Sequence, residues 1–452
     1  MNMIIDSAAK HSEAGKLDIR AIVNPQSVAI IGFSSKPGTA GQVVMNNLLN
    51  GGYTGDLHLV GRSGGELNGR KILSAVNELP HGIDLAIFVL PSEAVLQTVK
   101  DCVSKGVKGA VCFASGFAEM GDVGRQQQHE IGEVARAAGM ALLGPNTVGY
   151  FNYVDAFYVM MVDLVLPARL NRADGPAVAI VAQSGGIGNH IAASLAARGV
   201  PISYMMTTGN EAQLGLAEMV EFFAEDTSTG TIAIYAEQIR SAKDFTTAVQ
   251  RARAKNKSVV LLHPGRSVRS REAAQSHTGA LAGNHAAMRL MAEHAGVVVV
   301  DSLEEIIDVS QLLLRFPTAP TGGLGLVTAS GAICGLAQDY VEPLLLEIPP
   351  LAAEQVEALK EHLPVFLPPR NPLDIGTLVS VKPELIQRGV EAILADTAVG
   401  STLVSIPMPG PEASVAWLKY FIEGVGSSAK PSIFVLHNED VPLSAEFLAE
   451  AK

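Results

Sequence analysis

His277 is the residue whose type and setting speak most clearly for chemistry. It sits in QSHTGALAGNH, residues 275–285, among small and polar neighbours that keep an imidazole accessible. A neutral imidazole nitrogen is a competent nucleophile toward phosphorus when a carboxylate holds the opposite ring nitrogen, fixing the tautomer and stabilising the cation formed. Most of the 11 histidines belong to the surface or to satisfied core positions, so His277 draws its weight from its company. Glu237, closing the apolar run TIAIYAE (231–237), is the candidate carboxylate. A glutamate at a strand end is ordinarily solvated, and the sequence leaves that pairing open. The run AVAIVAQ (177–183) passes through Ser184, Gly185 and Gly186 into a helical pattern. Such a turn offers free N–H groups and the positive end of a helix dipole to a phosphoryl group, with a packing-only glycine turn as the competing reading.

A second set of candidates lies nearer the N-terminus. SVAIIGF (27–33) leads into SSKPGTAGQVV, where Gly32, Ser34, Ser35, Gly38 and Gly41 supply close backbone approach and hydroxyl donors and Lys36 supplies charge. This is not GxGxxG, and the next apolar run ends in Gly61-Arg62-Ser63 where a nicotinamide site carries a ribose-binding carboxylate. A nucleotide-type ligand other than NAD is the expectation, against an unliganded βα turn. Leu90-Pro91-Ser92, Ser115-Gly116-Phe117-Ala118-Glu119 and Gly144-Pro145-Asn146-Thr147 follow later apolar runs and can face the same ligand. Taken singly, each is an ordinary turn.

The elements that must position these residues are short β-branched runs separated by helix-length stretches: 27–33, 57–60, 84–90, 109–114 and 141–144, then 177–183, 202–207, 231–237, 258–263 and 296–301, then 323–330, 401–407 and 431–437. Runs apolar throughout suit strands buried on both faces, and the βα alternation implies parallel strands with helical crossovers and ligands beyond the strands' carboxyl ends. The Pro- and Gly-rich stretches LPARLNRADGP and FPTAPTGG read as linkers. The expected fold is α/β, three successive doubly wound parallel-sheet domains over 1–158, 170–316 and 320–452. The third reads as incomplete at its C-terminal end.

Composition narrows the function. With 452 residues, 48% hydrophobic and 17% charged, the chain is globular, and a net charge of −12 lacks the basic footprint of nucleic-acid or anionic-membrane binding. Cys102, Cys112 and Cys334 have no CxxC spacing, so neither a disulfide framework nor a thiolate metal site is expected and a cytoplasmic setting fits. No apolar run reaches the roughly 18 residues of a membrane span, and the first residues lack a secretory pattern.

In order along the chain, PQSVAIIGFSS, LLGPN, AQSGGIG, IYAEQI, SHTGALAG and RNPLDIG resemble the NDP-forming acyl-CoA synthetases, relatives of succinyl-CoA synthetase, over nearly the whole chain. The resemblance implies a Rossmann-like CoA-binding domain followed by two flavodoxin-like ligase domains. It implies an acid-thiol ligase that makes acyl-CoA, NDP and phosphate from acid, CoA and NTP through acyl phosphate and a phosphohistidine. By it His277 is the phosphorylated residue, Glu237 steadies it, and Ser184 to Gly186 begin the helix that faces it. The loops around Gly32, Ser34, Ser35, Gly38, Pro91, Ser115, Gly116 and Asn146 form the CoA cradle. Arg62 stands where the family's VNPK motif has lysine, and Thr147 where GPNC has cysteine. No segment resembles the ATP-grasp module that loads the histidine from ATP and Mg, so the resemblance implies an α-type component completed by an ATP-grasp subunit or fused domain, in an oligomer. The competing functions are a non-catalytic CoA or acyl-CoA sensing module, which needs neither His277 nor Glu237, and a Rossmann dehydrogenase, weakened by the missing glycine pattern. The sequence names neither the carboxylic acid nor the choice of ATP or GTP.

Overall fold

A computed structural model describes residues 17–163, 165–270, 285–407, 411–435 and 444–450. The chain divides into two compact units, residues 1–317 and 318–452. The first unit contains two seven-stranded sheets. In the first sheet the strands are β1 (Ser27–Ile31), β2 (Asp56–Val60), β3 (Gly65–Leu67), β4 (Arg70–Leu73), β5 (Leu85–Phe88), β6 (Gly109–Cys112) and β7 (Ala141–Leu143), in the order β3-β4-β2-β1-β5-β6-β7. All neighbours are parallel except the β3–β4 pair. The chain starts in the middle and winds outward both ways, which places a topological switch point between β1 and β5. β5 is buried at every residue, as its apolar run requires.

The second sheet is built from β8 (Gly149–Asn152), β9 (Phe157–Met160), β10 (Ala177–Ala182), β11 (Ile202–Thr207), β12 (Thr229–Tyr235), β13 (Ser258–Leu262) and β14 (Val298–Val300), in the order β14-β13-β12-β10-β11-β8-β9. Its own switch point lies between β10 and β12. Five strands are parallel; β8 and β9 form an antiparallel hairpin added beside β11. Residues 149–158, which the sequence groups with the first domain, therefore pair in the second sheet, and that sheet is mixed where an all-parallel one is expected. The hairpin leans on the first sheet's layer: Asn47 Nδ2 donates to Met160 O (3.0 Å) and Asn152 Nδ2 to Val23 O (2.8 Å).

The two sheets are joined by hydrogen bonds along the outer edge of β7. Leu142 N donates to the Gln213 side-chain oxygen (2.6 Å), Leu214 N to Leu142 O (3.1 Å), Ala212 N to Gly144 O and Asn210 N to Pro145 O (both 2.9 Å). Residues 210–214, which leave β11 of the second sheet, thus take up the backbone groups of the first sheet's last strand, which is fully buried.

The second unit has four parallel strands, β15 (Gly323–Thr328), β16 (Leu373–Asp374), β17 (Val399–Ser405) and β18 (Ser432–Val435), in the order β16-β15-β17-β18. The two-residue strand β16 escapes the sequence pattern. It is pinned by Asn371, whose side chain accepts from Leu326 N (3.0 Å) and donates to Leu324 O (2.8 Å) and Pro349 O (3.0 Å).

Gln213 is 2% exposed. Gln213→Met keeps its volume but strands the buried Leu142 N–H, and we expect a loss of about 1–3 kcal/mol in urea unfolding. An unchanged midpoint contradicts the role assigned to this edge.

Candidate functional site

The loops that leave the carboxyl ends of β1, β2, β5, β6 and β7 lie against one another in a continuous row. A Cβ on Gly32, whose φ is +92°, would stand 2.1 Å from Val89 O, so only glycine lets the β1 and β5 loops meet at the switch point. A Cβ on Gly61 would stand 2.2 Å from Phe33 O, which puts the exposed Arg62 beside the β1 turn. Gly116 lies against Ser92, which follows Pro91, and Asn146 N donates to Ala114 O (2.8 Å). The candidates Gly32, Ser34, Ser35, Gly38, Arg62, Pro91, Ser115, Gly116 and Asn146 thus all fall on one rim of the first sheet.

Among the helices that open onto these rims are α1 (Ala40–Asn50), α2 (Ser92–Ser104) and α3 (Gly185–Ala197). Their N-cap residues Thr39, Pro91 and Ser184 make no side-chain capping bond. In the same unit Ser241 and Ser302 cap their helices by accepting from Asp244 N (3.2 Å) and Glu305 N (3.1 Å). The uncapped ends keep donors for an anion. Gly38 and Gly186 have no atom within 4 Å of where a Cβ would stand, so backbone at both turns is open to a ligand. Gly185 is different: its Cβ would fall 2.5 Å from Val148, so this glycine serves close packing. The first turn, with open backbone and the Ser34 and Ser35 hydroxyls beside it, suits an anionic ligand.

Glu237 lies just beyond β12, next to the β10 turn at the second switch point, and is partly buried rather than solvated. Burial and then its charge push the Tyr235 hydroxyl up to about 12. His263, at the end of β13, bonds through Nδ1 to Ala236 O and stacks on His285 with ring centres 5.4 Å apart. Burial first, and then His285, hold its pKa below the usual imidazole value, against the Ala236 bond. His277 lies outside the described residues. Among the described residues no group of three or more His, Cys, Asp or Glu is arranged to hold a metal, and no helix is long and apolar enough to cross a membrane.

The residues that tie these rims together were not singled out from sequence. Gln183 Oε1 accepts from Glu237 N (2.6 Å) and Gln238 N (2.9 Å), while its Nε2 donates to Gln238 O (2.7 Å) and Glu211 Oε1 (3.0 Å). Glu211, 3% exposed and at φ +58°, also accepts from Thr208 Oγ1 (2.9 Å) and pairs with Arg240 Nε (3.0 Å). Burial pushes its carboxyl up, and Arg240, Gln183 and Thr208 pull it back. The preceding residue, Asn210, donates to Glu119 Oε2 (2.6 Å) and accepts from Asn146 Nδ2 (3.1 Å). Burial works against the Glu119 charge, but bonds from Gly116 N–H and Asn210 hold its pKa below the usual value. A buried glutamate in GNEAQLG, flanked by Gly209 and Gly215, is the one signal that could have drawn notice.

Two family profiles match the chain: a CoA binding domain over residues 26–152 and a succinyl-CoA ligase like flavodoxin domain over residues 175–313. The chain is 35% identical over 434 residues to a trans-feruloyl-CoA synthase from an unknown prokaryotic organism, covering 95% of this chain and 61% of that protein. It is 32% identical to the alpha subunit of acetate–CoA ligase (ADP-forming) I of Pyrococcus furiosus, covering 81% of this chain and 78% of that one. Among solved structures, the dinucleotide forming acetyl-coenzyme A synthetase 1 of Ca. Korarchaeum cryptofilum, in complex with phosphate and ADP, superposes with a TM-score of 0.80 at 25% identity, over 96% of this chain and 90% of that one. A Pyrococcus horikoshii OT3 protein gives 0.75 at 25% identity, over 96% and 97%. The chain spans less than two thirds of the feruloyl-CoA synthase it resembles.

Arg240→Met leaves the buried Glu211 carboxylate without its partly exposed cation, and we expect urea unfolding to show a loss of about 1–3 kcal/mol. Without Arg240 the folded-state pKa of Glu211 rises further above its unfolded value. The unfolded chain then ionises first as pH rises, so stability is lost with increasing pH. The difference between wild-type and variant urea midpoints should be wider at about pH 8 than at about pH 5; an equal or reversed difference contradicts the ion pair of Glu211 with Arg240.

Proposed function

The chain belongs to the family of ADP-forming acyl-CoA synthetases, relatives of succinyl-CoA synthetase, and from that membership we propose its share of the reaction: it binds CoA on the rim of the first sheet and carries the phosphoryl group on His277 beside the rim of the second. The overall change is carboxylic acid, CoA and ATP to acyl-CoA, ADP and phosphate. The phosphoryl group passes from ATP to the imidazole, then to a carboxylate oxygen of the acid. It leaves as phosphate when the CoA sulfur attacks the acyl carbon. Nucleophilic transfer of this kind divides one difficult displacement into easier ones.

The observation that carries this reading is the convergence, at one switch point, of the uncapped start of α3 and the Glu237 loop, bound to each other through Gln183. Glu237 would hold the imidazole of His277, and the N–H groups around Ser184, Gly185 and Gly186 would receive the phosphoryl oxygens. On the first rim, α1's free N–H groups, Ser34, Ser35 and Arg62 would bind CoA phosphates, with Pro91, Ser115, Gly116 and Asn146 lining the way to the thiol. ATP and magnesium belong to an ATP-grasp subunit or fused domain; the Pyrococcus furiosus relative is named an alpha subunit and the feruloyl-CoA synthase is the longer chain. The acid is a small carboxylic acid, the relatives being named for ferulate and acetate. Buried free thiols at Cys102, Cys112 and Cys334 suit the cytoplasm.

Calorimetry on the isolated chain tests this reading: CoA binds, and neither NAD nor ATP does. Gly38→Val weakens CoA binding about tenfold or more, because φ at residue 38 is +75° and a branched side chain both strains the turn and fills the open approach. NAD binding without CoA binding would return the dehydrogenase reading, and turnover of ATP by the chain alone would remove the need for a partner.

A further inference from the structure

β12 ends at Tyr235, so the N–H groups of Glu237 and Gln238 have no ladder partner in the sheet. Gln183 supplies one for both, and its position makes that choice consequential. Its backbone N donates to Tyr235 O (3.1 Å), and the next three residues are the turn that opens α3. Both its amide donors and both acceptor positions of its amide oxygen are engaged. The amide orientation is fixed by chemistry: two backbone N–H groups can only donate, so the oxygen must face them. Behind the amide, Glu211 is held by Thr208 and Arg240, and Arg240 further binds the backbone oxygens of Glu211 and Gln213. Burying a carboxylate and pairing it with a guanidinium that stays partly exposed is an expensive way to fill a core, and apolar residues would hold it as firmly.

We propose that Gln183 is a positioning residue that locks Glu237 in register with the Ser184–Gly186 turn, with Glu211 and Arg240 fixing the amide from behind. The claim rests on the phosphoryl-relay reading above. A carboxylate that stabilises a developing imidazolium works only at the right distance and angle, and misplacement by about 1 Å costs orders of magnitude in rate. Gln183 does not touch the reacting atoms; it acts through Glu237.

The test uses the full chain with labelled inorganic phosphate and a panel of acetyl-, 4-hydroxybutyryl- and feruloyl-CoA, without nucleotide. Phosphate displaces CoA from the acyl carbon, releasing free thiol and forming acyl phosphate. The imidazole then takes the phosphoryl group and the carboxylate departs. The readout is the initial rate of acid-labile, base-stable label. Gln183→Met should slow labelling about tenfold or more while CoA affinity stays within about twofold. Combined with Glu237→Gln it should slow the reaction no further than Glu237→Gln alone, because Gln183 has nothing left to position. Glu211→Gln, which keeps volume, should slow labelling in the same direction. Wild-type labelling rates in Gln183→Met, or effects that multiply in the double variant, overturn the proposal while leaving the relay intact. If wild-type protein takes no label from any of the three thioesters, the relay reading fails and this proposal fails with it.

Discussion

A buried strand at the edge of a sheet must place its N–H and C=O groups somewhere, and in this chain the outer edge of β7 is satisfied by residues 210–214 rather than by water or an eighth strand. The segment that does so has just left β11 of the second sheet, so meeting one backbone requirement fixes two sheets together. At the same corner Asn210 reaches forward to Glu119 and Asn146 on the first rim, while its neighbour Glu211 reaches back to Gln183 on the second. The geometry of both rims is therefore a consequence of how one edge is closed. Under the proposed relay, two sites handling successive intermediates would gain from such a join, because effective concentration depends on holding groups in fixed relation.

Electrostatics follow the same economy. A chain with net charge −12 has to hold any polyanionic ligand locally, and what the proposed rims offer for that is helix-terminal backbone rather than a basic surface. Thr39, Pro91 and Ser184 leave their helices without a side-chain cap, while Ser241 and Ser302 cap theirs. The one fully buried carboxylate at this corner, Glu211, is matched with a guanidinium instead of being left to lose its charge.

Most parallel strands of the first two sheets were legible because burial writes them as uninterrupted apolar runs, and β5 and β10 are buried at every residue, whereas the short, partly exposed β3 and β4 carry no such run and were missed. The hairpin β8–β9 was not, since its aromatic residues read as extended without saying which sheet they join, and pairing with β11 is a long-range fact. The glycines of the turn proposed for phosphate divide: Gly186 is open as an anion site wants, whereas Gly185 is there for Val148. Glu237 stood out by its place at a strand end, yet its partial burial and the bond from its backbone N to Gln183 are long-range facts that no local pattern reports. Glu211 stayed hidden for a plainer reason. Its value lies in partners 28 and 29 residues away, Gln183 and Arg240.

The central claim is that one chain receives the phosphoryl group on His277 beside a site for CoA. Peptide mapping at alkaline pH, after the chain has been incubated with inorganic phosphate and an acyl-CoA and then digested, addresses it most directly. The account predicts a single phosphoryl group on the peptide that contains residues 275–285, sensitive to acid and absent when CoA is added in large excess to reverse the first step. A phosphoryl group on any other peptide, or none while acyl-CoA is nevertheless consumed, would contradict it.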